Sequence, residues 1–203
     1  QDFIPKIKDH ILSHLLGLEY DGDEQDFMDV ERNDVWFINN LNSIFQPKHF
    51  QINYTMYDVH RDQDMLKPGN GSTMMMLSRE SSAGAHPFWY ARVLGAFCIN
   101  VLHVGPNTHN CSPQSMEVLW VRWLGVEPQY HWGFREGHLP KIGFIPDSPA
   151  AFRFLDPLLV SCKACHLIPA FAGHHTNDLL RHGPSAARLP GEVDNWASFY
   201  VNM

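Results

Sequence analysis

The short run CKACH, residues 162 to 166, holds the side chains with the clearest capacity for chemistry. Two thiols separated by two residues, with histidines close by and downstream, are the ligand types that zinc takes in proteins. The candidate metal site is drawn from Cys162, Cys165, His166, His174 and His175. The alternative is that these residues bind no metal, because the histidine spacing does not follow a recognised zinc-finger pattern.

The same run also matches the attachment pattern of c-type haem, in which two thiols bond the porphyrin and the histidine ligates iron. Its flanks, LDPLLVS and LIPAFAG, favour a strand over the short helix that a haem site prefers. Haem is therefore disfavoured, and we expect the chain to work without a cofactor unless zinc is bound. No phosphate-binding loop, nucleophile elbow or His-Glu-x-x-His pair occurs, so no catalytic residue is assigned and the sequence favours a noncatalytic protein.

Two apolar segments each carry an arginine close to tryptophans: HPFWYARVLGAFCINVLHVG from His86 and MEVLWVRWLGVEP from Met116. A strand with two apolar faces is typical of the centre of a curled sheet or barrel. Because an unpaired buried guanidinium is costly, we expect ion pairs or stacking on tryptophan for these arginines. The candidate ion-pair residues are Arg92, Arg122, Glu117 and Glu127. The alternative is a pair of ordinary core strands whose arginines reach solvent.

The aromatic side chains of the same region form a candidate binding pocket. Exposed indole and phenol faces attract lysine, methylated lysine or arginine through cation–π interactions. The candidate residues are Trp89, Tyr90, Trp120, Trp123, Tyr130 and Trp132.

Hydrophobic periodicity predicts the elements that must position these residues. FIPKIKDHILSHLLG has helical spacing and stops at Gly17, and a second helix is expected over residues 29–40, with Val30, Val35, Ile38 and Leu41 facing inward. From Phe50 the apolar period changes to two. Strands are predicted over residues 50–59, 73–77, 88–97, 99–104, 116–124, 141–145 and 195–203.

These elements predict an α+β fold with a mainly antiparallel β-barrel-like or curled-sheet core and N-terminal helices. We expect residues 1–45 to be a helical segment packed on the core and residues 46–203 to be a β-rich domain, together one compact unit. A chain that stops inside a strand also suggests a fragment of a longer protein.

The segments FWYARVLGAF and EVLWVRWLGVEP resemble the signature of bromo-adjacent homology domains. In those domains a strand of the type Tyr-x-Ala-x-Val leads into a Val-x-Trp-Phe strand that ends near Glu and Pro. The resemblance covers about residues 50 to 146. It implies a β-rich module that binds histone tails, nucleosomes or other chromatin proteins.

A longer resemblance spans nearly the whole chain and concerns a segment of transposon-encoded proteins of mushroom-forming fungi. It implies a mobile-element origin but carries no activity to any residue. The blocks, in order, are NYTMYDVHRDQD, AHPFWYARVLGAF, LWVRWLGVEP, LPKIGFIPDS, FLDPLLV, CHLIPAFA and GPSAARLPGEVDNWASFYVN.

The net charge and the length of the apolar runs limit the classes of partner that we expect. The 203 residues carry a formal charge of −7, which opposes the phosphate backbone and disfavours direct DNA binding. Apolar runs are shorter than the roughly 20 residues that span a bilayer, so no membrane partner is expected. We therefore expect an intracellular, nuclear protein-interaction module, binding chromatin or histone tails. The alternative is a metal-dependent enzyme that processes nucleic acid, as a nuclease or transposase part, using His, Cys and Asp ligands.

Overall fold

The computed structural model describes most of the chain. The described residues are 3–18, 25–38, 44–55, 61–81, 85–106, 108, 110–133, 135–160, 165–176 and 179–202, with the side chains of 54, 55, 61 and 62 left out. The helices are α1 (Phe3–Leu15) and α2 (Asp29–Asn33), with 3-10 turns at Pro149–Ala151, Pro157–Leu159 and Phe171–Gly173. The strands are β1 (Val35–Phe37), β2 (Phe50–Thr55), β3 (Arg61–Leu66), β4 (Thr73–Leu77), β5 (Phe88–His103), β6 (Gln114–Val126), β7 (Lys141–Phe144), β8 (Phe152–Leu155), β9 (His166–Pro169), β10 (His175–Thr176), β11 (Asn195–Trp196) and β12 (Phe199–Asn202).

One eight-stranded antiparallel sheet dominates the fold, in the order β1-β5-β6-β7-β12-β9, with β4 also paired to β5 and β8 to β6. The strands β2 and β3 form a separate hairpin, and β10 pairs with β11. The prediction of a mainly antiparallel α+β fold is confirmed. Through the described residues the strand path is open, so it is not a closed barrel; a curled sheet is compatible with it.

The long pair β5 and β6 is the centre of the sheet. They pair antiparallel from Tyr90 opposite Leu124 to Val101 opposite Gln114. A β-bulge between Val93 and Gly95 shifts the register. Because side chains alternate along a strand, the extra residue moves the following side chains to the other face. At Gly95 a Cβ atom would lie 2.8 Å from the Phe97 ring, which explains the glycine there.

The two faces of the sheet are covered by three apolar clusters. On one face Ala91 and Val93 pack with Leu119 and Val121, and the β2–β3 hairpin contributes Ile52. The other face divides lengthwise between two clusters. One holds α1 and the His103 end of β5, and the other holds Tyr90, Leu124, β7 and β12. Burial on both faces is what the apolar pattern of β5 and β6 predicts.

Helix α1 packs on the sheet through Ile7, Ile11 and Leu12, all nearly fully buried. These positions repeat at helical spacing, so this predicted helix is confirmed. Buried Asp9 joins α1 to α2, because its two carboxylate oxygens each lie 2.7 Å from a nitrogen of Arg32. None of the described helices is long and apolar enough to cross a membrane.

The predicted second helix is wrong beyond its first turns. Among the described residues of that range, 29–38, only Asp29–Asn33 is helical, and Val30 and Ile38, two expected inner positions, are 73% and 38% exposed. Val35 is buried as expected, but on strand β1, which pairs with β5. The backbone hydrogen bonds of a sheet edge outweigh a weak helical pattern here. The predicted helical segment 1–45 therefore also supplies a strand, while Leu41 lies outside the described residues.

Three of the strand predictions also change. Residues 88–97 and 99–104 are one strand, β5, rather than two. The predicted strand over residues 141–145 ends at Phe144, and the one over 73–77 matches β4. Near the chain end, β11 and β12 replace the single predicted strand.

Burial of His10 in α1 predicts a loss of stability in mild acid. Desolvation lowers the pKa of His10 to about 4 from 6.5. Between these values the unfolded chain binds a proton that the folded chain excludes, so stability is full above pH 6.5 and falls towards pH 4. From pH 7 to pH 5 we expect His10 to cost about 2 kcal/mol of unfolding free energy in urea titrations.

His10→Leu should remove this part of the acid sensitivity, whereas His49→Gln, at an exposed position, should retain it. An equal loss between pH 7 and pH 5 in the parent and in His10→Leu would contradict the assignment.

Candidate functional site

The arginines of the two central strands meet at one place. Arg92 on β5 lies directly opposite Arg122 on β6, and the residues are 7% and 0% exposed. Both guanidinium groups lie over the ring of Phe144 on β7, with Cζ to centroid distances of 4.7 Å for Arg92 and 4.1 Å for Arg122. The cation–π contacts are favourable, but they leave two like charges side by side.

Hydrogen bonds among the described residues do not offset the cost of burying these two guanidinium groups. The Nη1 of Arg92 donates to the carbonyl of Ala187 at 3.4 Å, while its Nε has no partner among the described residues. All three nitrogens of Arg122 are likewise without a hydrogen-bond partner there. Desolvation, then the charge of Arg92, lowers the pKa of Arg122 to about 10. Desolvation also lowers the pKa of Arg92, against the opposing effect of Glu192.

A third buried arginine, Arg188, has its guanidinium group satisfied by hydrogen bonds. Arg188 is 4% exposed, yet its Nε and Nη2 donate to Asn195 Oδ1 at 3.1 and 2.8 Å. Its remaining hydrogen bonds go to the carbonyls of Leu180, Arg181 and Gly183. Buried charge at Arg188 is thus satisfied within the chain, which sets the Arg92–Arg122 pair apart.

A cavity of about 390 Å³ opens beside Arg92. It lies between β4, β9, β12 and the segment around residues 189–196. Its polar lining includes Thr73, Arg92, His166, Glu192 and Asn195, and its aromatic lining is Phe144, Trp196 and Phe199. A volume above roughly 300 Å³ with a few polar groups on apolar walls is typical of small-molecule sites.

The predicted partners of the two arginines lie elsewhere in the described structure. Glu117 is an odd number of residues from Arg122 on the same strand, so alternation directs it to the opposite face. The Oε2 of Glu127 lies 2.9 Å from Lys141 Nζ. The ring that both arginines share is Phe144 rather than a tryptophan.

The six predicted aromatic residues are not gathered in one pocket. Trp89 and Trp123 contact each other edge to face at 6.1 Å, on the hairpin side of the sheet. Trp120 packs against Phe3 and Phe152 on the other side. The remaining three have other neighbours: Tyr90 is 1% exposed beside His86, Trp132 also contacts His86, and Tyr130 contacts His138 and Tyr200.

The candidate zinc ligands are only partly described. Cys162 lies outside the described residues, and Cys165 is buried, with its Sγ 3.6 Å from Thr73 Oγ1. His166 lines the cavity beside Arg92, and the ring centroids of His175 and Trp196 are 4.0 Å apart. Among the described residues no group of three or more His, Cys, Asp or Glu side chains could hold a metal ion. Zinc at this position stays a prediction.

A second feature is an exposed apolar row along β5, on the edge away from β6. We call it the β1 row; it consists of Trp36, opposite Leu102, then Ile38, whose N–H donates to Asn100, and Phe45, which bridges to Cys98. Trp36 is 59% exposed and Phe45 is 65% exposed. The indole N–H of Trp36 donates to the Asn33 carbonyl at 2.9 Å, which fixes the ring.

The sequence around β1 is rich in acidic residues, although Lys8 also lies there, with its Nζ 5.6 Å from the centroid of the Phe37 ring. Asp26, Asp29, Glu31 and Asp34 precede or flank β1 in sequence. The one arginine among them, Arg32, is engaged by Asp9 and Asp29. Exposed apolar side chains in an acidic setting can attract a basic and partly apolar partner.

Sequence reasoning missed Trp36 and Arg188. The apolar spacing around Trp36 favours a helix and so hides it, although Val-Trp-Phe, three residues of high β propensity, signals a strand. Arg188 lies in a loop without periodicity, so no sequence pattern could show its burial.

Comparison of the chain with models of known protein families, with curated proteins and with solved structures found no match. By its strand order and its helices, the chain is a mainly antiparallel α+β protein.

The unpaired burial of Arg122 predicts that an apolar replacement is tolerated. Arg122→Met should leave the unfolding free energy unchanged or raise it by up to about 3 kcal/mol, because methionine fills similar space without a desolvated charge. Arg188→Met is the matched control; it should lose at least about 2 kcal/mol, since it leaves several buried acceptors unpaired. Chemical denaturation of both variants checks this, and equal destabilisation of the two would show that Arg122 has a partner.

Proposed function

We propose that this chain is a noncatalytic protein-interaction module whose β1 row binds a basic peptide segment of a partner, with a histone tail as the leading candidate. The observation that carries the proposal is Trp36, an exposed indole held in place on an edge strand beside an acidic helix. An exposed indole face is the best side-chain acceptor for lysine or arginine cations.

The backbone of β1 adds a second mode of recognition. Ile38 N donates to Asn100 O on β5, and Asp34 O accepts from the N–H of Val104, which directly follows β5. Since alternate residues of an antiparallel strand bond to the same neighbour, the N–H and C=O groups of Val35 and Phe37 are directed to the outer edge. There β1 has no second strand among the described residues. A peptide can add to such an edge as a further strand, with main-chain hydrogen bonds supplying affinity.

Charge supports a basic occupant over an acidic one. The chain carries −7 overall, and the carboxylates around α2 outnumber the basic groups beside them. Complementary charge raises the association rate and makes binding sensitive to salt. The resemblances to chromatin-binding domains and to transposon-encoded fungal proteins agree with a nuclear setting, which belongs to the same proposal.

Trp36→Ala tests the proposal directly. We expect it to weaken binding of a lysine-rich histone-tail peptide by about tenfold, which corresponds to a loss of about 1 to 2 kcal/mol, measured by fluorescence anisotropy. Phe171→Ala is the control, because it removes another exposed aromatic, 68% exposed, from outside the β1 row. Neither change should alter the unfolding midpoint by much.

A peptide of the same length with glutamate in place of lysine should not bind. Failure of the parent chain to bind any basic peptide, or equal affinity of Trp36→Ala and the parent, would contradict the proposal. Cleavage of nucleic acid that stops on adding a chelator would instead support the metal-dependent alternative.

A further inference from the structure

We infer that the cavity beside Arg92 is a binding site for a small organic oxyanion, a carboxylate or phosphate group carried on an apolar body. This inference concerns the opposite part of the sheet from the β1 row and does not depend on it. Its basis is a pair of buried guanidinium groups that the described residues do not neutralise.

The charge balance around the cavity leaves room for an anion. Glu192 is the carboxylate that acts on Arg92, and Asp147 is the one that acts on Arg122. Neither forms an ion pair with these arginines among the described residues, and Glu192 Oε2 already accepts a hydrogen bond from Leu189 N–H at 3.1 Å. An isolated charge in an apolar interior is costly, so an anion that enters the cavity gains an unusually strong partner.

The position of Arg92 suits an oxyanion, and Arg122 lies directly behind it without lining the cavity. Residues directly opposite on antiparallel strands hold their Cβ atoms about 5 Å apart, and both guanidinium groups are restrained on the Phe144 ring. Arg92 is 7% exposed and lines the cavity, and its Nε has no hydrogen-bond partner among the described residues. Guanidinium N–H groups bond to carboxylate or phosphate oxygens in parallel pairs.

The remaining lining selects what the oxyanion is attached to. Asn195 uses its Oδ1 for Arg188, so its amide N–H groups are the side chain's remaining capacity for a ligand. Phe144, Trp196 and Phe199 supply aromatic walls. The Thr73 hydroxyl donates to the Cys165 carbonyl and adds no free donor. A flat apolar body with one anionic end fits these walls.

A nucleic acid is a poor candidate for the same cavity. The cavity volume of about 390 Å³ is enough for a small molecule only, and the chain's charge of −7 repels a polyanion at long range. Short-range pairing with the desolvated Arg92 can exceed that repulsion for a single small anion, because screening by water is weak inside the cavity.

The test compares ligands of one shape and different charge on the intact chain. Benzoate and phenyl phosphate are the oxyanion probes, benzamide is the neutral control and benzylamine is the cationic control. We expect at least one oxyanion to bind saturably in calorimetry and to raise the thermal unfolding midpoint, with benzamide and benzylamine at least tenfold weaker. Benzoate alone would assign the site to carboxylates, and phenyl phosphate alone would assign it to phosphates.

Two variants locate the binding. Arg92→Gln should weaken oxyanion binding at least tenfold, whereas Arg79→Gln removes an equal charge from an exposed position and should leave it unchanged. If Arg92→Gln does not fold, the ligand series on the parent still decides, and Arg92→Lys, which keeps the charge but loses the paired N–H donors, should bind the oxyanion more weakly than the parent. Benzamide binding as tightly as benzoate, no saturable oxyanion binding at about 1 mM, or unchanged affinity in the Arg92 variants would overturn the inference.

Discussion

The antiparallel pairing of β5 and β6 is the constraint on which the rest of this structure depends. Both strands are apolar on both faces, so each face must be covered, and the clusters around α1, the β2–β3 hairpin and the β7–β12 layer do so. The same register places Arg92 opposite Arg122. Covering the strands therefore buries two charges, and the chain retains them where apolar residues would pack more simply.

The two proposed sites arise at opposite ends of this pair. Near the Phe88 end of β5, aromatic residues of β7 and β12 close over the arginines and leave the cavity beside Arg92. Beyond the bulge, the outer edge of β5 is met only by the short strand β1 and the bridge at Phe45 among the described residues. One end thus buries positive charge, while the outer edge of the other carries exposed apolar side chains bordered by carboxylates. These contrasting environments favour different partners.

Much of this architecture could be predicted from the sequence, because several elements have a clear hydrophobic pattern. Helix α1, strand β4 and the double-faced apolar pattern of β5 and β6 each follow from periodicity. Strand β1 could not be found in this way, since three residues are too few to show a period and their pairing with β5 joins distant parts of the chain. The bulge near Gly95 changes the facing of later residues without changing composition. At the candidate sites, sequence analysis singled out Arg92 and Arg122, as ion-pair residues, but neither the cavity beside Arg92 nor Trp36 of the β1 row. The register places Arg92 and Arg122 on neighbouring strands, but the ring that they share, Phe144, comes from β7, and sheet order is not specified by local sequence. The aromatic candidates are distributed because neighbouring positions on one strand point to opposite faces.

The most direct test of the central claim is a double-mutant cycle on Arg92 and Arg122, with methionine at each position and unfolding free energies measured without added oxyanion. Two desolvated, unneutralised charges should repel each other. The cycle should therefore give an unfavourable interaction energy of about 1 to 3 kcal/mol between the two arginines. A zero or favourable interaction energy would mean that the pair is already neutralised within the chain, which would contradict the claim.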